Sequence, residues 1–193
     1  DRAQRQVACA AAGDSIDAVW NAEVRAQVRD GLVATGLGHA PTTAEKVMPW
    51  LDRRAEAWRA ARTGACEAAS LEGRWDADTL DRPVWCLDER RAALATLVEE
   101  LAVADGEVVQ KAVKVAAGLE PAASCLDAGR LARLPAPPET GREGLRAVQR
   151  TLARAANLAA AGQQAEAQAA AREARSEAAA FGWPPLIDRK STR

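Results

Sequence analysis

The sequence has few aromatic residues other than tryptophan: among 193 residues there are six Trp, one Phe and no Tyr. It also lacks an excess of either charge, because the formal net charge is -1, so a basic surface for nucleic acid is not indicated. No apolar run approaches the roughly 18 residues that span a bilayer. The charged beginning, with Asp1, Arg2 and Arg5, does not have the form of a signal peptide. These absences favour a soluble chain or a soluble piece of a longer protein.

Motifs that carry catalysis or bind metals are also missing. There is no glycine-rich phosphate loop, and none of the protein-kinase motifs occurs. The single histidine, His39, lies between Gly and Pro residues in a predicted turn, and no two cysteines are close in sequence, so the spacing typical of a zinc site is absent. Carboxylates such as Glu99 and Glu100 are interpreted as a solvated helix face. The sequence therefore predicts no catalytic residue, no metal site and no cofactor.

Ala, Leu, Glu, Arg and Gln dominate the composition, and these residues are strong helix formers. No alternating apolar run suggests a strand. Apolar residues instead recur at steps of three and four in six segments, which predicts an all-α fold. We expect the first helix to begin after an N-cap at Asp14 or Ser15, and the second at Thr42 or Thr43, where Thr42 and Glu45 have the spacing of a capping box.

The later helices have clearer boundaries. Asp76 or Asp78 is predicted to cap the third helix, and Asp105 with Gly106 forms the turn before the fourth. We expect two antiparallel helical hairpins in residues 1–134, a proline-rich linker in 135–141, and a further helix pair in 142–193. The last of these segments also contains what resembles the beginning of another helix at its end.

The four cysteines are predicted to pair within the two hairpins. Cys9 lies 29 residues before Gly38, near the first hairpin turn, and Cys66 lies 28 after it. Cys86 lies 20 residues before Gly106, in the second turn, and Cys125 lies 19 after it. Positions equally far from the turn are neighbours in an antiparallel hairpin, so this spacing favours Cys9–Cys66 and Cys86–Cys125. A Cys66–Cys86 bond, or four free thiols, are the alternatives, and disulfides would indicate an oxidising compartment.

This pattern resembles the region that follows the transmembrane helix in myxobacterial-type membrane serine/threonine protein kinases. The shared landmarks are Cys and Trp residues with their neighbours: Cys9, Ala11–Gly13, Trp20, Trp58, Cys66, Cys86, Leu87, Asp105 and Cys125. The resemblance implies a cytoplasmic kinase domain and one membrane span before this region, and a tetratricopeptide array after it.

The C-terminal helix pair resembles one tetratricopeptide unit. Five small or apolar residues stand at that motif's usual positions: Leu158, Gly162, Ala167, Ala171 and Ala174. Three residues depart from the motif, namely Thr151, Arg154 and Gln164. About three repeats are needed for a stable array, so this unit would be the first of several.

We therefore expect a non-catalytic, extracytoplasmic (periplasmic) sensing region of a membrane kinase that binds a protein or peptide. An α-helical adaptor without a kinase, or a small enzyme whose site is not recognisable, are the alternatives. Trp and Arg are enriched at binding hot spots. Trp50, which lies off the apolar stripe of its helix, and four residues near the hairpin junction therefore form the candidate binding surface: Trp50, Arg74, Trp75, Arg82 and Trp85. The alternative for these tryptophans is that they cover the seam between the hairpins.

Overall fold

The computed structural model describes residues 1–131, 136 and 138–181, and within them all regular structure is helical. The prediction of an all-α fold is thereby confirmed. The α-helices are α1 (Arg2–Asp14), α2 (Ala22–Ala34), α3 (Ala40–Ser70), α4 (Ala77–Ala102), α5 (Gly106–Gly118), α6 (Ala128–Leu131), α7 (Arg142–Ala161) and α8 (Gln164–Ala179). Two 3-10 helices cover Ser15–Ala18 and Ala122–Leu126.

The long helix α3 is the centre of the molecule. Its 31 residues span about 46 Å at 1.5 Å per residue. Helices α1 and α2 follow one another along α3 in the antiparallel direction, so that Cys9 meets Cys66 and Trp20 Nε1 donates to Asp52 Oδ1 at 2.9 Å. Helices α4 and α5 pack on α3 as well, and one apolar core is shared by all of them except α1.

The N-terminal segment differs from the prediction. Residues before Ser15 were expected to be a non-helical flank, but they form α1, and Ser15 ends that helix with its Oγ donating to Ala12 O at 2.7 Å. The reason is that α1 buries only Cys9 and Gly13, so its sequence carries no apolar stripe that would indicate a helix.

The predicted first helix is also interrupted. A new helix, α2, begins after Asn21, whose side-chain oxygen accepts from the backbone N–H of Glu23 and of Val24. Asparagine is among the best N-cap residues, and this residue could have indicated the break.

The expected capping box at the start of α3 is wrong. The helix begins at Ala40, with Pro41 in its first turn, so Thr42 and Glu45 are already inside it. Proline is well tolerated there because the first turn has no intrahelical use for its missing N–H. The helix also continues through Pro49.

Of the two residues predicted to cap the third helix, Asp76 is confirmed as the cap, and Asp105, which was predicted as part of a turn, is also a cap. Asp76 Oδ1 accepts from Thr79 N at 2.7 Å and begins α4. Asp105 Oδ1 accepts from the N–H of Glu107 and of Val108, each at 2.9 Å, and begins α5. These bonds satisfy backbone donors that have no partner inside the helix.

The two expected hairpins share one core. At Gly31 of α2 an added Cβ would lie 2.2 Å from Ala102 O, so only glycine permits this approach of α2 to α4. Helix α5 packs more extensively on α3 than on α4. Helices α2, α4 and α5 therefore pack on α3 and form one bundle with it.

The C-terminal pair, α7 and α8, packs on the outside of this bundle against α4 and α5. Its connection turns at Gly162, whose φ of 95° is in the left-handed region that glycine adopts without strain. Of the predicted linker, Pro135 and Pro137 lie outside the described residues, as does the expected beginning of a further helix after Phe181.

Candidate functional site

The five predicted surface residues do not form one surface. Trp50 is half-buried near the beginning of α3, and the guanidinium carbon of exposed Arg53 lies 4.4 Å from its ring centre. Trp75 follows the end of α3, and the stretch of helix from Trp50 to Ser70 is about 30 Å long. The two side chains are therefore far apart along α3.

Trp85 is a core residue and not part of a surface. Only 6% of it is exposed, and it packs against residues of α7 and α8, including Leu145, Val148 and Ala174. The guanidinium carbon of Arg146 lies 5.8 Å from its ring centre. Trp85 thus anchors the C-terminal pair on α4, a role that its position near the junction did not indicate.

Of the two predicted arginines, Arg74 is exposed in the turn after α3 and pairs with Glu72. Arg82 is half-buried on α4. Of the five predicted surface residues, Arg74 and Trp75 are therefore the two that lie next to each other at the junction.

The two disulfides have the pairing that the sequence spacing favoured. Cys9 joins Cys66 with a Cα–Cα distance of 5.3 Å, and Cys86 joins Cys125 with a distance of 5.5 Å. No cysteine is free. The first bond ties α1 to α3, and the second ties the 3-10 helix Ala122–Leu126 to α4.

A small crevice lies between α3, α4 and the segment that follows α5. Arg54, Arg90, Glu120 and Trp58 line it, together with the apolar residues Ala93, Leu94, Leu119 and Ala122, and its cavity of about 10 Å³ has room for roughly one water molecule. Arg54 and Trp58 are one helical turn apart on α3 and so share a face. Trp58 Nε1 donates to Leu87 O at 2.7 Å, which holds α3 against α4 beneath the crevice.

Both guanidinium groups have unused donors. The Nε atoms of Arg54 and Arg90 are buried without a hydrogen-bond partner among the described residues. An unpaired buried donor costs roughly 1–3 kcal/mol. Burial, followed by the nearby charge of Arg53, lowers the pKa of Arg54 from its ordinary value. Arg90 pairs with Glu120 and, at 4.0 Å from its Nη1, with Glu89, whereas Arg54 has no ion pair among the described residues.

The segment after α5 supplies the one carboxylate in the crevice lining. Glu120 pairs with Arg90 Nη2, although its own side chain is 63% exposed while that of Arg90 is 14% exposed. Pro121 follows Glu120 and disfavours the helical conformation for it, so the chain leaves α5 extended. The Cys86–Cys125 bond fixes this segment beside α4, and Cys86 is one helical turn before Arg90.

A second polar arrangement joins α7 to α4. Arginines on α7 face carboxylates on α4: Arg142 holds Asp81 through two bonds of 2.6 Å, Arg146 bonds Asp88 at 3.0 Å and Arg154 bonds Glu100 at 2.9 Å. The hydrogen bonds that Arg142 donates to Asp81 raise the pKa of Arg142, and the bond that Arg154 donates to Glu100 raises the pKa of Arg154. We call these three pairs the α4–α7 charge ladder.

A buried amide lies beneath the charge ladder. Asn157 of α7 is 6% exposed, and its Nδ2 donates to Ala93 O at 3.0 Å and to Thr96 Oγ1 at 2.8 Å. Thr96 is 2% exposed and donates back to its own helix. These directional bonds define the register of α7 on α4, because a slipped helix would leave buried polar groups without partners.

Comparison with known proteins identifies no family, since no protein-family model, curated protein or solved structure matches this chain. In the part of the chain that the structure describes, no group of three or more metal-ligating side chains is assembled. None of the helices there is both long and apolar enough to cross a bilayer.

Proposed function

We propose that this chain is a non-catalytic, extracytoplasmic protein-interaction region of a membrane serine/threonine protein kinase. The observation that carries the proposal is the pair of disulfides, which persist in oxidising compartments and are rare in reducing ones. The resemblance of the Cys and Trp landmarks to myxobacterial-type membrane kinases supplies the kinase part of the proposal.

The α7–α8 pair is the part that we propose to begin a tetratricopeptide array. Gly162 forms the turn, and Ala167 and Ala174 are buried on the inner face of α8. Ala171, which also occupies a motif position, is exposed, as are the small residues Ala165 and Ala169 on the outer side. In an array this outer side packs against the next repeat, because each unit needs neighbours to bury its faces.

Within this proposal the two disulfides keep the bundle rigid. α3 is fixed to α1 by Cys9–Cys66, and α4 is fixed to the segment after α5 by Cys86–Cys125. The array would bind a protein or peptide partner, and its first unit is joined to α4 by the charge ladder. A partner that moves α7 would therefore act directly on α4.

Thiol mapping in the native cells tests the compartment. Alkylation before reduction, followed by mass mapping, is expected to leave all four cysteines unmodified and to show the Cys9–Cys66 and Cys86–Cys125 cross-linked peptides. Four alkylated thiols would overturn the extracytoplasmic assignment. The chain expressed in a reducing cytosol is the matched control.

The kinase assignment has its own test. The complete open reading frame is expected to encode a kinase domain and one membrane span before the residues described above. An open reading frame without them contradicts the kinase assignment and leaves the adaptor hypothesis, with the disulfide result deciding the compartment separately.

A further inference from the structure

The crevice of Arg54, Arg90 and Glu120 has properties that the proposed function does not use. Two guanidinium groups line it, and each has a buried Nε without a partner among the described residues. Arg54 makes its hydrogen bond to a neutral group, Ala117 O, at 2.9 Å. Arg90 pairs with Glu120 and with Glu89, so Arg54 is the guanidinium of the crevice that has no carboxylate partner among the described residues.

Glu120 is held less firmly than its partner. Its side chain is 63% exposed, whereas that of Arg90 is 14% exposed, so Glu120 can turn into solvent while Arg90 remains in place. Water then solvates the free carboxylate. The position that it leaves is bounded by the Arg90 fork, which matches the geometry of a carboxylate.

We propose that this crevice binds the carboxylate of a ligand, which displaces the Glu120 side chain from Arg90. The Arg90 fork would hold the carboxylate oxygens, and the guanidinium of Arg54, whose hydrogen bond is to the neutral Ala117 O, would add a second positive charge. This site is independent of the kinase assignment, because it depends only on residues of the bundle.

The size and lining of the crevice favour a carboxylate that is attached to an apolar group. The cavity of about 10 Å³ enlarges by the space that the Glu120 carboxylate leaves, which a planar carboxylate fits. Leu94, Leu119 and Ala122 form the apolar part of the wall. A free C-terminal carboxylate of a peptide, or a small aliphatic acid, has this chemistry.

The test uses the Glu120→Gln variant and acetate as the probe. The Nε–H resonances of Arg54 and Arg90 and the indole resonance of Trp58 are followed by NMR, with chloride exchanged for acetate at constant ionic strength. We expect saturable shifts, with an apparent affinity about tenfold higher than in the wild type, because the internal carboxylate no longer occupies the site.

Glu72→Gln is the matched control, since Glu72 pairs with exposed Arg74 and its substitution changes the net charge equally. We expect its acetate response to equal that of the wild type. Shifts that never saturate in Glu120→Gln, or an equal gain in Glu72→Gln, would overturn the proposal. Stronger binding of inorganic phosphate than of acetate would overturn the choice of a carboxylate.

Two further variants separate recognition from folding. Arg90→Lys and Arg54→Lys, each combined with Glu120→Gln, keep the positive charge but remove the planar fork. Loss of the acetate shifts, with the remaining amide spectrum unchanged, is expected for Arg90→Lys, and weakening is expected for Arg54→Lys. If one double variant fails to fold, the other decides the outcome, and undiminished acetate binding in either contradicts the site.

Discussion

The bundle around α3 and the α7–α8 pair differ in what holds them together. The bundle buries large side chains completely, among them Leu32, Leu51 and Leu101, and two disulfides close it. The inner face of α8 buries four alanines: Ala167, Ala170, Ala174 and Ala178. Because the free energy of burial follows apolar area, the pair gains less from its own seam than the bundle does from its core.

The α7–α8 pair is stabilised in addition by its contact with α4. Trp85 of α4 fills the space between α7 and α8, and the charge ladder with Asn157 lies across the same contact. Surface ion pairs contribute little individually, and exposed parts of the ladder are screened by salt. The α7–α8 pair therefore depends on its contact with α4, whereas the bundle has a large apolar core of its own.

The largest effect is expected from the disulfides. Cys9→Ala with Cys66→Ala, or Cys86→Ala with Cys125→Ala, removes a cross-link between residues 57 or 39 positions apart. Each pair of substitutions should lower the free energy of unfolding by about 4 kcal/mol, because the unfolded chain gains loop entropy. Urea denaturation measures it, and a loss under about 1 kcal/mol would show that the apolar core alone holds the bundle.

Two fully buried leucines test whether the regions open separately. Leu101→Ala in the bundle and Leu145→Ala in α7 remove the same atoms from sites that are 0% exposed, and each should cost about 3 kcal/mol. Native-state hydrogen exchange is expected to quicken throughout α3 in Leu101→Ala. In Leu145→Ala we expect it to quicken in α7 and α8 only. Equal acceleration of α3 in both variants would mean that the molecule opens as one unit.

Much of the fold could be predicted because strong local patterns coincide with strong caps. Asp76 and Asp105 precede periodic apolar stripes, and both begin helices. The disulfide pairing followed from equal distances to the turns. For Cys9 and Cys66 these distances apply because α1 and α2 run consecutively along α3.

The predictions for α1 and Trp85 were wrong for one physical reason. Both are held by contacts with residues distant in sequence, and no local sequence pattern indicates such contacts. Helix α1 binds α3 through small residues: an added Cβ at Gly13 would lie 2.2 Å from Thr63 Oγ1, and small residues give no apolar periodicity. Trp85 was placed at the junction because its neighbours in sequence are there. Its partners, Leu145 and Ala174, are distant in sequence, so no local signal indicates its burial.

The candidate crevice was missed for the same reason. Arg54, Arg90 and Glu120 come from three separate parts of the chain and have no motif spacing. Only the packing of α4 on α3, with the segment after α5 beside them, brings the three together.

A smaller effect is expected from the charge ladder. Arg142→Gln removes the two 2.6 Å bonds to Asp81, and because both side chains are about 30% exposed the docking of α7 should weaken by about 1 kcal/mol. Arg150→Gln, at an exposed position on the same helix, is the control and should change little. The difference in hydrogen exchange of α7 and α8 between the Arg142→Gln and Arg150→Gln variants should become smaller in roughly 1 M sodium chloride. A loss that salt does not reduce would contradict an electrostatic contribution.

The smallest effect concerns Asp105, which links the two regions. Its Oδ1 caps α5, and its Oδ2 accepts from Gln163 Nε2, in the α7–α8 turn, at 3.2 Å. The hydrogen bond from Val108 N is the main cause that lowers the pKa of Asp105. Asp76 is a matched control, because hydrogen bonds from Thr79 lower the pKa of this cap also, but within α4 alone.

The sign of the pH dependence follows from these lowered values. Ionised Asp105 stabilises the folded state fully above the unfolded pKa of about 3.9, and this contribution is lost as the pH falls through the folded pKa. Asp105→Asn retains a capping oxygen without the charge, so it should lower stability by only about 0.3 kcal/mol at neutral pH and by nothing in acid. Amide hydrogen exchange at Gly162 and Gln163 should become faster in Asp105→Asn and remain unchanged in Asp76→Asn. If both variants leave that turn unaffected, Asp105 caps α5 without joining the pair to the bundle, and the α4–α7 contact alone accounts for the docking.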